Sequence, residues 1–166
     1  TNDKSLYIFL ELLLQTGARR FSILTLKKKD INLASKEVTI KNHKTNTTYK
    51  GFLQDDLIEP LNEYLKDFKI NDDIFSYNEN MDYSQTGHKL LTILDKLFNV
   101  GLASNDRKNK VVIHTLRHTY ASHLAINGIP IFTIQKLMNH SDITQTMRYA
   151  KLSPENGKLA IQGLYK

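Results

Sequence analysis

The sequence predicts a mostly α-helical domain with one small antiparallel β-sheet. Apolar residues recur at helical spacing in several separate runs, such as Leu6, Phe9, Leu10 and Leu13 at i, i+3, i+4 and i+7. Polar and apolar residues alternate in Glu37-Val38-Thr39-Ile40-Lys41, and a second β-prone run, Thr48 to Phe52, follows the polar turn from Asn42 to Thr47. No internal repeat and no low-complexity linker interrupts the 166 residues, so one domain over 1–166 is expected.

The elements follow in order. The first helix stops naturally at Gly17. A short second helix is expected over Arg19 to Leu26, then the basic turn Lys27 to Asp30 and a short extended piece at Ile31 and Leu33. The alternating pair forms a hairpin or meander. Asp55 to Phe68 reads as a helix with Leu57, Ile58, Leu61, Tyr64 and Leu65 inward, and Pro60 suits it only in the first turn. Asn71 to Tyr83 reads as a loop with Ile74 and Phe75 buried. Ser84 to Val100 is amphipathic through Leu90, Leu91, Leu94, Leu97 and Phe98. A polar loop at Asn105 to Lys110 precedes a helix over Thr115 to Asn127, ended by Gly128. Pro130 opens another over Ile131 to Met138, and a last helix is expected over Ile143 to Lys151.

The formal charge of +6 and pI of about 9.4 favour a polyanionic partner. No run is long and apolar enough to span a membrane, and no signal peptide is visible. The absence of cysteine excludes disulfides and thiolate metal sites and is compatible with a cytoplasmic location.

Chemistry-bearing residues gather in four places. In His114-Thr115-Leu116-Arg117-His118, His114 and Arg117 are three apart and share a helix face. His140 precedes Tyr149 by nine positions. Upstream stands Thr16-Gly17-Ala18-Arg19, and the hairpin tip carries His43-Lys44-Thr45. Together these resemble the tyrosine recombinase (phage integrase) family over about Leu6 to Lys151. That family's pattern is an Arg after Thr-Gly-x, a hairpin Lys, a His-x-x-Arg box, a later His or Trp, and a Tyr nine residues on.

The resemblance implies the tyrosine recombinase catalytic-domain fold and the site residues Arg19, Lys44, His114, Arg117, His140 and Tyr149. The residue types suit phosphodiester cleavage. Two guanidiniums can grip the non-bridging oxygens, and Tyr149 can attack phosphorus. A free phenol titrates near pH ~10, so it needs a base or a positive field. His114 suits the base, and His140 a hydrogen bond to phosphate. That Lys44 protonates the departing 5′-oxygen, that the intermediate is a 3′-phosphotyrosine, and that no metal or other cofactor takes part are implied by the resemblance. So is an active site where the hairpin tip, the Gly17–Arg19 turn and the helices of His114 and Tyr149 converge.

Departures from the pattern are Ser22 where Glu is frequent, His43 where a small residue precedes the Lys, and Met138-Asn139-His140 where Leu-Gly-His is usual. Lys41 and Lys50 rival Lys44, and Arg20 rivals Arg19.

Double-stranded DNA is the partner implied, with a tetramer on two duplexes in a full-length protein and a monomer for this piece. The family's N-terminal DNA-clamping domain is absent from this chain, which begins with Thr1 rather than Met and reads as a piece of something longer. The tail at about 153–166 offers Leu159, Ala160, Ile161, Leu164 and Tyr165 as an apolar face for a neighbouring protomer, or is a disordered terminus. Three other readings compete. Ala121 to Leu137 resembles a helix-turn-helix, as in a non-catalytic DNA-binding regulator. A type IB topoisomerase shares the chemistry. His114 and His118 at i, i+4 could hold zinc, although Thr115 stands where a zinc protease carries Glu.

Overall fold

The structure, a computed structural model, describes residues 3–75, 77–78, 83–154 and 162. The chain forms two compact units, Thr1–Tyr120 and Ala121–Lys166. It is mostly helical with a small antiparallel sheet, as the sequence predicts. Among the described residues, no helix is long and apolar enough to cross a membrane.

In the first unit, α1 (Lys4–Thr16) starts where Asp3 Oδ1 accepts the Leu6 N–H. It ends at Gly17, whose left-handed φ of 60° lets its N–H reach the Leu13 carbonyl. Its deepest face is Ile8, Phe9, Leu12 and Leu13, rather than one centred on Leu6 and Leu10, which are half-buried. The face is shifted because α1 is contacted by α2 (Arg20–Leu24), β3 (Thr47–Phe52), α3 (Asp55–Leu65) and α4 (Gln85–Phe98). α2 is shorter than Arg19–Leu26. Arg19 stays extended at φ −72° and ψ 145°, and the Thr25 hydroxyl turns back onto the Phe21 carbonyl.

A 3₁₀ turn at Lys28–Asp30 leads to β1 (Ile31–Asn32), β2 (Glu37–Asn42) and β3, a meander in the order β1-β2-β3. In β2, Val38, Ile40 and Asn42 face inward, and Val38 pairs with Gly51, Ile40 with Tyr49. α3 tolerates Pro60 beyond its first turn, because buried Leu57, Leu61 and Leu65 hold it and the carbonyl left unpaired belongs to exposed Asp56. It stops at Leu65, short of Phe68. Ile74 and Phe75 are buried as expected, Phe75 edge-on to Phe9. The following stretch is not all loop: β4 (Tyr77–Asn78) pairs with β5 (Tyr83–Ser84). In α4, Leu90 and Leu94 are buried, but Leu97 and Phe98 are 68% and 58% exposed, against expectation. The helix ends there, and its last turn lies beyond the core it covers.

α5 (Ile113–Ile126) begins two residues before the expected Thr115, and the boundary between the units falls within it. In the second unit, it closes with a Schellman turn. Gly128, at φ 75°, donates to Ala125, and Ile129 donates to Leu124. Pro130 then opens α6 (Ile131–Leu137). The expected helix over Ile143–Lys151 is broken. It consists of α7 (Thr144–Met147), then Tyr149, then a 3₁₀ turn at Ala150–Leu152. Bonds three residues back dominate this stretch: Thr146 to Ile143, Tyr149 to Thr146, and Leu152 to Tyr149. The apolar tail residues Leu159 to Tyr165 lie outside the described residues.

Gly17 carries the sharpest steric constraint in the first unit. A Cβ built there would lie 2.2 Å from Tyr120 Cδ1, in addition to the left-handed φ. Gly17→Ala is therefore expected to destabilise the protein by about 2 to 4 kcal/mol. Urea unfolding measures this, and a loss below about 1 kcal/mol would mean that the Tyr120 ring moves aside freely.

Candidate active site

The Thr16-Gly17-Ala18-Arg19 segment is a tightly bonded helix end. The Thr16 hydroxyl donates to the Leu12 carbonyl and accepts the Ala18 N–H. Gly17 turns the chain, and its carbonyl accepts Nη1 of Arg117, a hundred residues away in sequence. Arg117 is only 3% exposed. A guanidinium so buried must be satisfied by fixed dipoles, and the Gly17 carbonyl is one of them.

Arg19 follows at once, half-buried at the N-terminus of α2. Its charge and that of Arg117 act on the same group, the Tyr49 hydroxyl. Burial pushes that hydroxyl above the ordinary phenol range, Arg117 pulls it down most strongly, and Arg19 pulls next. The Tyr49 oxygen is enclosed, and the Arg117 side chain approaches it closely enough to act by both charge and polar contact. Tyr120 belongs to the same cluster. Its hydroxyl is also pushed up, first by burial and then by Tyr49. Arg20 instead is exposed, at a cleft of about 250 Å³ lined by Ala18, Leu91, Val112, Ile113 and His114.

His114 lies in the first turn of α5, exposed, with its ring edge-on to His118 at 4.9 Å. Thr115 explains part of this placement: its hydroxyl accepts the Val112 N–H and so caps the helix start. Among the described residues, no three His, Cys, Asp or Glu gather as metal ligands.

Lys44 occupies the β2–β3 tip with its side chain exposed and its N–H on Asn42 Oδ1 at 3.1 Å. Its rival Lys50 is engaged with Glu37 at 3.2 Å and with the Thr39 hydroxyl at 3.1 Å. Lys41 lines a second cleft of about 230 Å³ with Ser22, Thr25, Lys27 and His43.

The second unit holds the other two candidates. α6 ends in a second Schellman turn, with Asn139 donating to Lys136 and His140 to Gln135. Asn139 takes the left-handed position at φ 47°, where glycine is the usual solution. The turn fixes the His140 backbone, and Gln135 Nε2 donates back to the His140 carbonyl. The ring is set by Nδ1, 2.8 Å from the hydroxyl of fully buried Thr146. Asp142 Oδ1 accepts the Thr144 N–H at the start of the next turn. Tyr149 is 5% exposed.

Asn139 Nδ2 is enclosed without a hydrogen-bond partner. Asn139→Gly is thus expected to raise stability by about 1 kcal/mol, and Asn139→Ala to lower it by about as much. Thermal unfolding decides, and a less stable Gly variant would reveal that the amide has a stabilising role.

Sequence reading thus missed Tyr49 and Tyr120 around Arg117, and Thr146 and Gln135 around His140. Two weak signals existed: Tyr120 stands three positions after Arg117 on one helix, and Tyr49 is in an inward register position.

A sequence model described as the phage integrase family matches residues 1–156. Tyrosine recombinase XerA of Saccharolobus solfataricus is 32% identical over 152 residues, 92% of this chain and 46% of that protein. The chain thus spans about half the length of that relative. The solved catalytic domain of bacteriophage HP1 integrase superposes with a TM-score of 0.66 at 21% identity, covering 99% of this chain and 94% of that one. XerH site-specific recombinase superposes with a TM-score of 0.69 at 21% identity, covering 100% of this chain and 49% of that one. At these identities the likeness establishes the fold, that of a tyrosine recombinase catalytic domain.

Proposed function

Because the chain belongs to the phage integrase family, matched over residues 1–156, we propose that it is the catalytic portion of a site-specific DNA recombinase. One structural observation carries this reading: the guanidinium of buried Arg117 is bonded to the Gly17 carbonyl, two residues before Arg19, so two arginines meet at one turn of the chain. Such a pair of planar, permanently charged donors suits a phosphodiester whose non-bridging oxygens gain charge during displacement.

The residues then take these roles. The Tyr149 oxygen attacks phosphorus and forms a phosphotyrosine at the 3′-side of the break as the bond to the 5′-oxygen breaks. His114 accepts the phenolic proton. Lys44 delivers a proton to the 5′-oxygen. Arg19, Arg117 and His140 hold the phosphate oxygens. Reversal with a new 5′-hydroxyl rejoins strands, and the ester conserves the bond, so neither ATP nor metal enters. This is also the chemistry of a type IB topoisomerase. The partner is double-stranded DNA, in keeping with the charge of +6. XerH, one of the structural neighbours, is described bound to a difH substrate in pre-cleavage and post-cleavage complexes. The working form proposed is a tetramer on two duplexes, with this piece alone a monomer, acting in a cytoplasm. The helix-turn-helix reading finds its outline in α5 and α6. It gives no reason for the arginine pair, and the comparisons lend it nothing.

A nicked duplex that loses a short 5′-hydroxyl fragment on cleavage tests the reading. The expected result is a protein–DNA band that survives denaturation and a chelator, with the protein on the strand that ends in 3′-phosphate. DNA binding with no such band, or attachment at a 5′-end, overturns it.

A further inference from the structure

His43 has built partners on the neighbouring helix. Its Nε2 lies 2.8 Å from the Thr25 hydroxyl, and its ring meets Phe21 edge-on at 4.4 Å and 68°. The Thr25 hydroxyl donates its one proton to the Phe21 carbonyl at 3.0 Å. It therefore accepts from His43, which fixes the tautomer as Nε2–H. Burial first, and Lys41 second, pull the His43 pKa below its ordinary value, which favours that neutral ring.

The other flank of the tip is tied as well. Asn42, buried at the end of β2, takes the Lys44 N–H on its side chain and the Thr45 N–H on its carbonyl. Asn46 closes the turn at a left-handed φ of 54°. Phe21 and Thr25 belong to α2 and its C-cap, and α2 starts directly after Arg19. One five-residue helix therefore separates Arg19 from the point where the Lys44 turn is fastened.

We propose that His43 is a positioning residue: clamped on Thr25 and Phe21, it holds Lys44 at a fixed offset from Arg19 so that the ammonium meets the departing 5′-oxygen. This rests on the strand-cleavage reading above. In that step the bond from Tyr149 oxygen to phosphorus forms, the bond from phosphorus to the 5′-oxygen breaks, and the Lys44 proton passes to that oxygen. His43 touches neither substrate nor proton and acts through Lys44.

A leaving-group test separates positioning from mere folding. Two nicked duplexes are compared, one with the ordinary 5′-bridging oxygen and one with sulfur at that atom. A thiolate leaves without protonation, so it makes the proton donor dispensable. Lys44→Ala sets the limit, about a hundredfold slower on oxygen and unimpaired on sulfur. His43→Ala is expected to be about tenfold slower on oxygen and equal to wild type on sulfur. Thr25→Val, which removes the hydrogen bond and keeps the side-chain shape, is expected to show the same selective defect. Equal slowing on both duplexes, or no slowing on either, overturns the assignment. A wild-type chain that forms no adduct with either duplex overturns the strand-cleavage reading and the assignment with it.

Discussion

On the proposed function, Tyr149→Phe is expected to abolish the covalent protein–DNA adduct and to leave duplex binding unchanged. The substitution removes one oxygen and keeps a ring that is 5% exposed, so its effect falls on chemistry rather than on packing. Removing a nucleophile commonly lowers turnover by about 10⁴-fold or more, which places the variant below detection on a gel. Neighbouring tyrosines are poor substitutes. The Tyr49 hydroxyl is enclosed, and burial raises both it and the Tyr120 hydroxyl above the ordinary phenol range, which disfavours the attacking anion. Denaturing electrophoresis reads the adduct and filter retention reads binding. Tryptic mapping of the wild-type adduct locates the ester. An adduct that persists in Tyr149→Phe, mapped to Tyr49 or Tyr120, would move the nucleophile. Loss of binding together with the adduct would show that the hydroxyl supports the fold, and thermal unfolding would register it.

The fold was legible wherever local pattern and local chemistry agree. Alternation placed β2 and β3 to within a residue, because an inward Val38 and Ile40 between polar neighbours leave one register. Gly17 marked the end of α1, because only a residue tolerant of positive φ ends it that way. Periodicity names a face but not its depth. Leu97 and Phe98 obey helical spacing in α4, yet they lie past the last contact with the core. The break before Tyr149 was hidden for another reason. Ile143, Thr144 and Thr146 are β-branched and weak helix formers, and Thr146 turns inward to His140. That choice depends on a partner six residues away. At the candidate site, the motif names residue types and their order but no partners. The bond from Arg117 to the Gly17 carbonyl was not legible, because spacing carries no information about a partner a hundred residues distant. Asn139 looked like a departure at Leu-Gly-His, yet it performs the glycine's conformational task.

On the same reading, Arg117→Lys is expected to lower the cleavage rate by about 10²- to 10³-fold although it conserves the charge. The guanidinium commits Nη1 to the Gly17 carbonyl, and its planar fork holds its N–H donors in fixed directions, so one group can serve more than one acceptor. An ammonium is a point charge on a flexible stem. It can serve the carbonyl or the phosphate, but it cannot hold both in one plane. The loss expected, about 3 to 4 kcal/mol of barrier, is that of one preorganised donor to a developing oxyanion. Arg117→Gln completes the argument. It carries no charge, and its amide nitrogen stops two bonds short of the Nη1 position that meets Gly17, so it should be both the less stable and the slower of the two. Single-turnover cleavage and urea unfolding of both variants separate the two duties, because rate follows the phosphate contact and stability follows the carbonyl contact. If Arg117→Lys cleaved at the wild-type rate, the guanidinium would serve only to fasten α5 to the Gly17 turn, and Arg19 would carry the phosphate grip without it.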